Sequence, residues 1–154
     1  MTELKQTFYC ETEEETSLLG QKLSILSRQG DVFALYGTLG VGKSVFARAF
    51  IQNICGKTEV PSPTFTLVQI YDSPNFEVYH FDLYRLKSAE EIFELGIEEA
   101  MYEGVCLIEW PEKMAKYLPR KTITINIIPQ ENGRQIEILY NNEENYHRFA
   151  SLKD

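Results

Sequence analysis

The stretch GTLGVGKS, which follows an apolar run at residues 32–36, has the composition and spacing of a phosphate-binding loop. It matches G-x-x-x-x-G-K-[ST], in which glycines let successive backbone N–H groups point at phosphate oxygens and the next helix presents its positive end. In that pattern Lys43 reaches the β- and γ-phosphates and the Ser44 hydroxyl binds Mg²⁺. The alternative is a plain glycine turn between a strand and a helix. The predicted nucleotide-binding residues are Gly37, Thr38, Leu39, Gly40, Val41, Gly42, Lys43 and Ser44.

Two carboxylates follow apolar runs later in the chain. Glu109 ends the run at 105–108 and precedes the only tryptophan, Trp110. Ligands of open α/β sheets bind at the carboxyl ends of strands, so Glu109 is expected to hold a metal or orient the attacking water. Asp82 is expected to complete a magnesium shell, and His80, two residues earlier, projects from the same face. The alternatives are a solvent-exposed strand-end charge for Glu109 and a structural role for His80.

A stiff connector separates the loop helix from the next strand. The segment PSPTF at 61–65 contains two prolines, which restrict the backbone on either side of Ser62 and so fix the position of Thr64. One interpretation is a rigid turn. The other is a switch, in which the Thr64 hydroxyl senses the γ-phosphate through Mg²⁺.

The elements that must position these residues alternate between strands and helices. Capping boxes at Thr12-x-x-Glu15 and Ser88-x-x-Glu91 predict two helix starts. Period-two patterns predict strands, and periodic leucines predict the first helix. The predicted strands are 4–10, 31–36, 65–71, 76–82, 105–108, 122–127 and 135–139. The predicted helices start at Thr12, Lys43 and Ser88. The first of these helices is expected to end at Gly30 and the second at Cys55. With an Asn132-Gly133 turn, this order predicts one α/β P-loop NTPase-like domain over 1–154, with a mixed central sheet flanked by helices.

Composition limits the class of protein. The 154 residues include 15 Lys+Arg and 23 Asp+Glu, a formal net charge of -8 that disfavours a general nucleic-acid binder. No apolar run is long enough for a membrane span and the N-terminus has no leader pattern, so the chain is expected to be soluble and cytoplasmic. The three cysteines, Cys10, Cys55 and Cys106, are interpreted as reduced core residues because they lack CxxC spacing.

Five motifs in a fixed order give a more specific indication. GTLGVGKS, PSPTFTLV, HFDLYR, ELGIEE and LIEWPE occur between about residues 12 and 119, and this combination resembles the TsaE family. The resemblance implies an ATPase that uses ATP and Mg²⁺ and works with TsaD and TsaB to make threonylcarbamoyladenosine in bacterial tRNA, with the tRNA held mainly by the partners. It implies that the loop cradles the phosphates, that Lys43 and Glu109 are catalytic, that Thr64 is a first switch and that Glu109 with Trp110 is a second. Thr38 departs from the family, which often has Asp there.

Two other functions remain open on the residues alone. A small-molecule kinase also pairs a phosphate loop with a short mixed sheet, but it needs basic lid residues, and the later chain offers only the scattered Lys113, Lys116, Arg120 and Lys121. A nucleotide-gated binding module that hydrolyses nothing is the second. The chain has no N-K-x-D guanine signature, so the choice of ATP depends on that absence and on the resemblance.

Overall fold

The computed structural model describes residues 4–38, 40–56 and 59–154. Its strands are β1 (Lys5–Cys10), β2 (Val32–Tyr36), β3 (Val68–Asp72), β4 (Glu77–Asp82), β5 (Val105–Glu109), β6 (Ile123–Gln130) and β7 (Gly133–Leu139). Its α-helices are α1 (Glu13–Leu26), α2 (Lys43–Cys55), α3 (Ile97–Glu103) and α4 (Glu143–Arg148). Short 3₁₀ helices cover Ala89–Leu95, Pro111–Tyr117 and Ala150–Lys153.

The strands form one sheet in the order β1-β7-β6-β2-β5-β4-β3. The four central strands, β6, β2, β5 and β4, are parallel to their neighbours in that group, whereas β1, β7 and β3 pair antiparallel at the edges. Carboxyl ends of parallel strands meet at one edge of a sheet. The residues that follow β2, β4 and β5 therefore lie together.

Alternate residues of the central strands enter two hydrophobic cores. In β5, Val105 and Leu107 pack into the core that contains Phe46 and Phe50 of α2, and Cys106 and Ile108 pack into the core on the opposite face. Burial on both faces explains the unbroken apolar run of this strand. The chain is a single α/β domain with a mixed sheet flanked by helices, as the sequence predicted. No helix within 4–38, 40–56 and 59–154 is long and apolar enough to cross a membrane.

The two predicted capping boxes differ in the structure. Thr12 caps α1, with its Oγ1 accepting from the Glu15 backbone N–H at 3.1 Å. Ser88 has no side-chain cap hydrogen bond, so that part of the prediction is wrong. The segment after Ser88 is a 3₁₀ helix, in which the Glu91 N–H donates to the Ser88 carbonyl at 3.2 Å and α3 follows as a separate helix.

Two element boundaries also differ from the prediction. Helix α1 ends at Leu26 rather than Gly30, because Ser27 is extended and its N–H and hydroxyl both donate to the Ser24 carbonyl. The strand predicted from 65 begins at Val68. Before it, the Leu67 N–H donates to the Pro63 carbonyl at 2.6 Å, and Leu67 has a left-handed φ of 69°, which closes a turn instead of extending the strand.

The β6–β7 hairpin turns one residue earlier than predicted. Gln130 pairs with Gly133, so Glu131 and Asn132 form the connection and Gly133 is the first residue of β7. Gly133 has φ +106°, and a methyl group there would lie 2.6 Å from the Glu11 Cα and against the Cys10 carbonyl. This close backbone approach joins the hairpin to the end of β1, and only glycine fits it.

Replacing Gly133 tests the close contact between its backbone and the end of β1. Gly133→Ala is expected to lower the free energy of unfolding by at least about 2 kcal/mol, since it adds a clash to a disfavoured φ. Gly96→Ala is the matched control: Gly96 has φ +76° with nothing within 4 Å, so only the backbone cost of about 1 kcal/mol applies. Urea unfolding monitored by circular dichroism measures both, and equal losses would contradict the close approach.

Candidate functional site

The loop holds Lys43 in a buried position. The Lys43 side chain is 5% exposed, and its ammonium donates to the Gly37 carbonyl at 2.6 Å and lies 3.4 Å from the centre of the Trp110 ring. Burial lowers the pKa of Lys43, and nearby carboxylates, Glu109 first, act in the opposite direction. The positive φ angles of Gly37, Gly40 and Gly42 give the backbone the curl that the motif predicted.

Trp110 follows β5 in an unusual backbone conformation. Its φ of 58° and ψ of 48° are left-handed, and Pro111 begins the 3₁₀ helix directly after it. This conformation turns the indole back over Lys43, and the ring also contacts Tyr84 with centroids 5.0 Å apart. A left-handed bulky residue is rare and is concentrated at functional positions. Trp110 therefore contacts the loop lysine at the wall of a cavity, and its role in nucleotide binding stays a prediction.

Glu109 is buried, so the alternative of a solvent-exposed charge is wrong. Its side chain is 3% exposed and both carboxylate oxygens accept hydrogen bonds. The Ser44 hydroxyl donates to Oε1 at 3.2 Å, and His80 Nε2 lies 2.6 Å from Oε2. Glu109 is the last residue of β5 and pairs in register with Leu35 of β2 and Asp82 of β4. The structure thus joins the loop serine to the strand-end glutamate.

Asp82 fixes the connector that follows the loop helix. Its Oδ2 accepts from the Thr64 hydroxyl at 3.0 Å, and its Oδ1 accepts from the Tyr84 backbone N–H at 3.0 Å. Thr64 Oγ1 is also 2.7 Å from the Ser62 hydroxyl. The Leu67 carbonyl accepts from the Asp82 N–H, which holds the connector to the end of β4. The predicted switch threonine and the predicted metal aspartate are therefore direct partners.

A cavity of about 300 Å³ contains most of the predicted residues. Its walls include Gly40, Val41, Gly42, Lys43, Ser44, Thr64, Asp82, Glu109 and Trp110. Gly37 and Thr38 support the loop from outside that wall: Gly37 accepts from Lys43, and the Thr38 carbonyl accepts from the Val41 N–H at 3.3 Å. Leu39 lies outside the described residues.

Five residues of the cavity wall were not predicted as site residues: Glu13, Thr16, Val45, Ser62 and Arg134. Among them, Arg134 donates to the Thr12 carbonyl at 2.9 Å and to the Thr16 hydroxyl at 2.8 Å. These contacts join β7 to the start of α1, and no local pattern reveals a pairing over 118 positions. His80 was predicted to share a strand face with Asp82, with a structural role as the alternative, but its pairing with Glu109 was not predicted.

The fold and this cavity define a P-loop nucleotide-binding α/β domain. Comparison with known proteins makes the assignment specific. A family model described as threonylcarbamoyl adenosine biosynthesis protein TsaE matches residues 10–136. The chain therefore belongs to the TsaE family.

Individual relatives agree with this assignment. The tRNA threonylcarbamoyladenosine biosynthesis protein TsaE of Rickettsia felis is 45% identical over 134 residues, which is 86% of this chain and 78% of the relative. The protein of the same name from Treponema pallidum is 36% identical over 127 residues, 81% of this chain and 93% of the relative. The crystal structure of Bacillus subtilis YdiB superposes with a TM-score of 0.80 at 25% identity and covers 99% of this chain and 97% of that one.

The three cysteines lie outside the cavity wall as it is described. All are free thiols: Cys10 and Cys106 are buried and Cys55 is half-buried. Burial raises the pKa of Cys106 to about 12 and that of Cys55 to about 11, and it also raises the pKa of Cys10. Since the thiolate is the reactive form, these cysteines are poor nucleophiles at neutral pH.

Alkylation tests this cysteine chemistry. With a pKa of about 11, Cys55 is only about one thousandth thiolate at pH 8, so iodoacetamide is expected to label it slowly. Cys10 and Cys106 are expected to label only when the chain unfolds. Mass spectrometry over a time course, with a urea-unfolded sample as the control, measures all three sites. Rapid labelling of Cys106 in the folded protein would contradict its burial.

Proposed function

We propose that this chain is a Mg²⁺-dependent ATPase that binds and hydrolyses ATP in support of threonylcarbamoyladenosine modification of tRNA. The observation on which the proposal depends is the junction of loop and strand: Ser44 of the phosphate loop donates directly to Glu109, a buried carboxylate at the wall of the same cavity. Loop and carboxylate are the two parts that nucleotide hydrolysis requires.

The loop residues 37–44 supply phosphate binding. Their backbone N–H groups and the start of α2 favour an anion, and Lys43 provides the positive charge. Lys43 now donates to the Gly37 carbonyl, so a phosphate would replace that acceptor. The nucleoside end would extend along the cavity toward Thr16 and Arg134.

The oxygen atoms beside the loop fit Mg²⁺. The Ser44 hydroxyl and Glu109 Oε1 are 3.2 Å apart, and the Thr64 and Asp82 oxygens share the same cavity. Mg²⁺ prefers oxygen ligands and takes few from protein when phosphates and water complete its shell. This agrees with the finding that no group of three or more His, Cys, Asp or Glu that could hold a metal occurs within the described ranges. When bound, Mg²⁺ would neutralise charge that develops on the phosphates.

Glu109 is the proposed general base. With Oε2 held by His80, the remaining lone pairs of Oε1 are directed to the cavity beside Ser44 and accept the proton of the attacking water. The same arrangement argues against a module that only binds nucleotide, since binding alone does not need a buried carboxylate.

A kinase is less well supported. The cations that line the cavity within the described ranges are Lys43 and Arg134, and Arg134 is committed to the start of α1. Lys121, one of the few basic residues available for a lid, donates instead to the Met101 carbonyl at 2.7 Å. The cavity therefore offers little to bind a second phosphorylated substrate.

The partners proposed for this chain are TsaD and TsaB, as the family resemblance implies. The net charge of -8 makes it unlike a tRNA-binding protein, so tRNA would be held mainly by the partners. In this role the nucleotide state of the chain is what the partners recognise, and Thr64, Glu109 and Trp110 are the groups that would report it. Cytoplasmic location follows from this role, since tRNA is modified there.

Separating binding from hydrolysis tests the proposal. Glu109→Gln is expected to lower kcat for ATP by about 100-fold or more with little change in nucleotide affinity, because a base acts on the transition state. Lys43→Ala is expected to weaken ATP binding by about tenfold or more, because a charged hydrogen-bond donor to phosphate is lost. Glu99→Gln, an exposed position on α3, is the control. ATP turnover measured alone and with TsaB and TsaD, together with titration calorimetry, gives both quantities.

Two results would contradict the proposed roles of Glu109 and of the chain as an ATPase. If Glu109→Gln lost affinity and turnover to the same extent, Glu109 would be a ground-state ligand and not a base. If the wild-type chain bound ATP but hydrolysed none with both partners present, the binding module would replace the ATPase.

Nucleotide-dependent recognition is a second prediction. The affinity of this chain for the TsaB and TsaD pair is expected to differ by at least about fivefold between an ATP analogue and ADP, and by linkage the partners change nucleotide affinity by the same factor. Thr64→Ala is expected to remove the difference, because Thr64 joins the connector to Asp82. Thr66→Ala, an exposed neighbour, is the matched control. Equal affinities with analogue, with ADP and without nucleotide, measured by titration, would contradict a switch.

A further inference from the structure

His80 is buried on β4, and β5 separates it from β2, the strand that leads into the loop. It lies in the middle of β4, its side chain is 2% exposed, and the described wall of the cavity does not include it. Its Nε2 is 2.6 Å from Oε2 of Glu109, which is itself 3% exposed. His80 is therefore placed to act on the reaction through Glu109 and not by contact with the nucleotide.

The hydrogen bond adds a second restraint to the Glu109 side chain, which already accepts from Ser44. A glutamate loses up to about 2 kcal/mol of conformational freedom when it is fixed, so a general base needs contacts that hold it. His80 occupies Oε2, and Ser44 donates to Oε1 from the opposite side. The carboxylate plane is thus set by one donor in the sheet and one in the loop.

The other ring nitrogen distinguishes His80 from an ordinary core histidine. His80 Nδ1 is buried and has no hydrogen-bond partner among the described residues. The hydrogen bond from Nε2 to Glu109 is therefore the polar contact that the described residues give this ring. Because the ring is buried, this hydrogen bond to Glu109 is shielded from water.

We propose that His80 is a positioning residue, which donates from Nε2–H to Glu109 and holds Oε1 toward the cavity. This inference depends on the proposed hydrolytic role of Glu109. The ring orients the carboxylate in the way that outer partners orient the ligands of metal and catalytic sites. No proton leaves His80 in the reaction.

Variants of comparable size test the positioning. His80→Phe keeps a ring but removes the donor and is expected to lower kcat for ATP by about 10- to 100-fold with KM nearly unchanged. His80→Gln places an amide N–H near the position of Nε2 and is expected to recover most of the loss. In a Glu109→Ala background, His80→Phe is expected to have no further effect, because both changes act on one group. Additive losses, or equal losses in the Phe and Gln variants, would overturn the inference in favour of a structural role.

Nuclear magnetic resonance tests the hydrogen bond without turnover. The chain has two histidines, His80 and the exposed His147, so a His147→Gln variant assigns the imidazole signals. A slowly exchanging Nε2–H is expected for His80 in the nucleotide-free protein, and it is expected to be lost in Glu109→Ala. A ring protonated only at Nδ1 would overturn the inference. Because this measurement does not depend on hydrolysis, an inactive wild-type chain would contradict the proposed ATPase while the spectrum still decides whether His80 holds Glu109.

Discussion

The burial of the Lys43 ammonium is the constraint around which the site is arranged. A buried cation is costly unless polar groups surround it. The described part of the chain gives Lys43 a carbonyl oxygen and an aromatic face, and no carboxylate within ion-pair distance. The lowered pKa of Lys43 reflects that burial. An anion that entered the loop would meet a cation whose charge is only partly compensated, which supports the proposed phosphate site.

The sheet supplies the rigid base that this arrangement needs. Glu109 pairs in register with both Leu35 and Asp82, so the end of β5 is fixed from two sides. A slip of one residue in β5 would move Glu109 to the opposite face and separate it from Ser44. Burial of β5 in both cores opposes such a slip, because every residue of the strand would change its environment. Apolar packing therefore determines where the carboxylate lies.

The predictable parts of the fold and site were those encoded by local patterns. The phosphate loop, the bounds of α2 and the strand-end positions of Asp82 and Glu109 all follow from motifs or periodicity over a few residues. Contacts between distant elements were not predictable, since they depend on register and packing. The pairing of His80 with Glu109 crosses from β4 to β5, and the contact of Arg134 with Thr16 joins the two ends of the chain. Helix α4 and the turn before β3 were missed although each has a local signal: Asn142 caps α4 by accepting from the Asn145 N–H, and the Leu67 N–H closes the turn on the Pro63 carbonyl. The β-forming residues after Thr64 favoured a strand over that turn.

The Trp110 ring connects the loop lysine, Lys43, to the protein surface. The Trp110 ring lies against Lys43 on one side and against Tyr84 on the other, and Tyr84 is 45% exposed. Trp110 directly follows Glu109 in the chain and has a left-handed backbone conformation, which persists only where surrounding contacts hold it. A ligand shifts a conformation only through contacts that differ between the states. If a phosphate drew the Lys43 ammonium from the Gly37 carbonyl, as proposed, the contact with the indole would be among the interactions that change. Trp110, the residue next to the proposed base, is therefore the residue that we propose connects the loop to the surface.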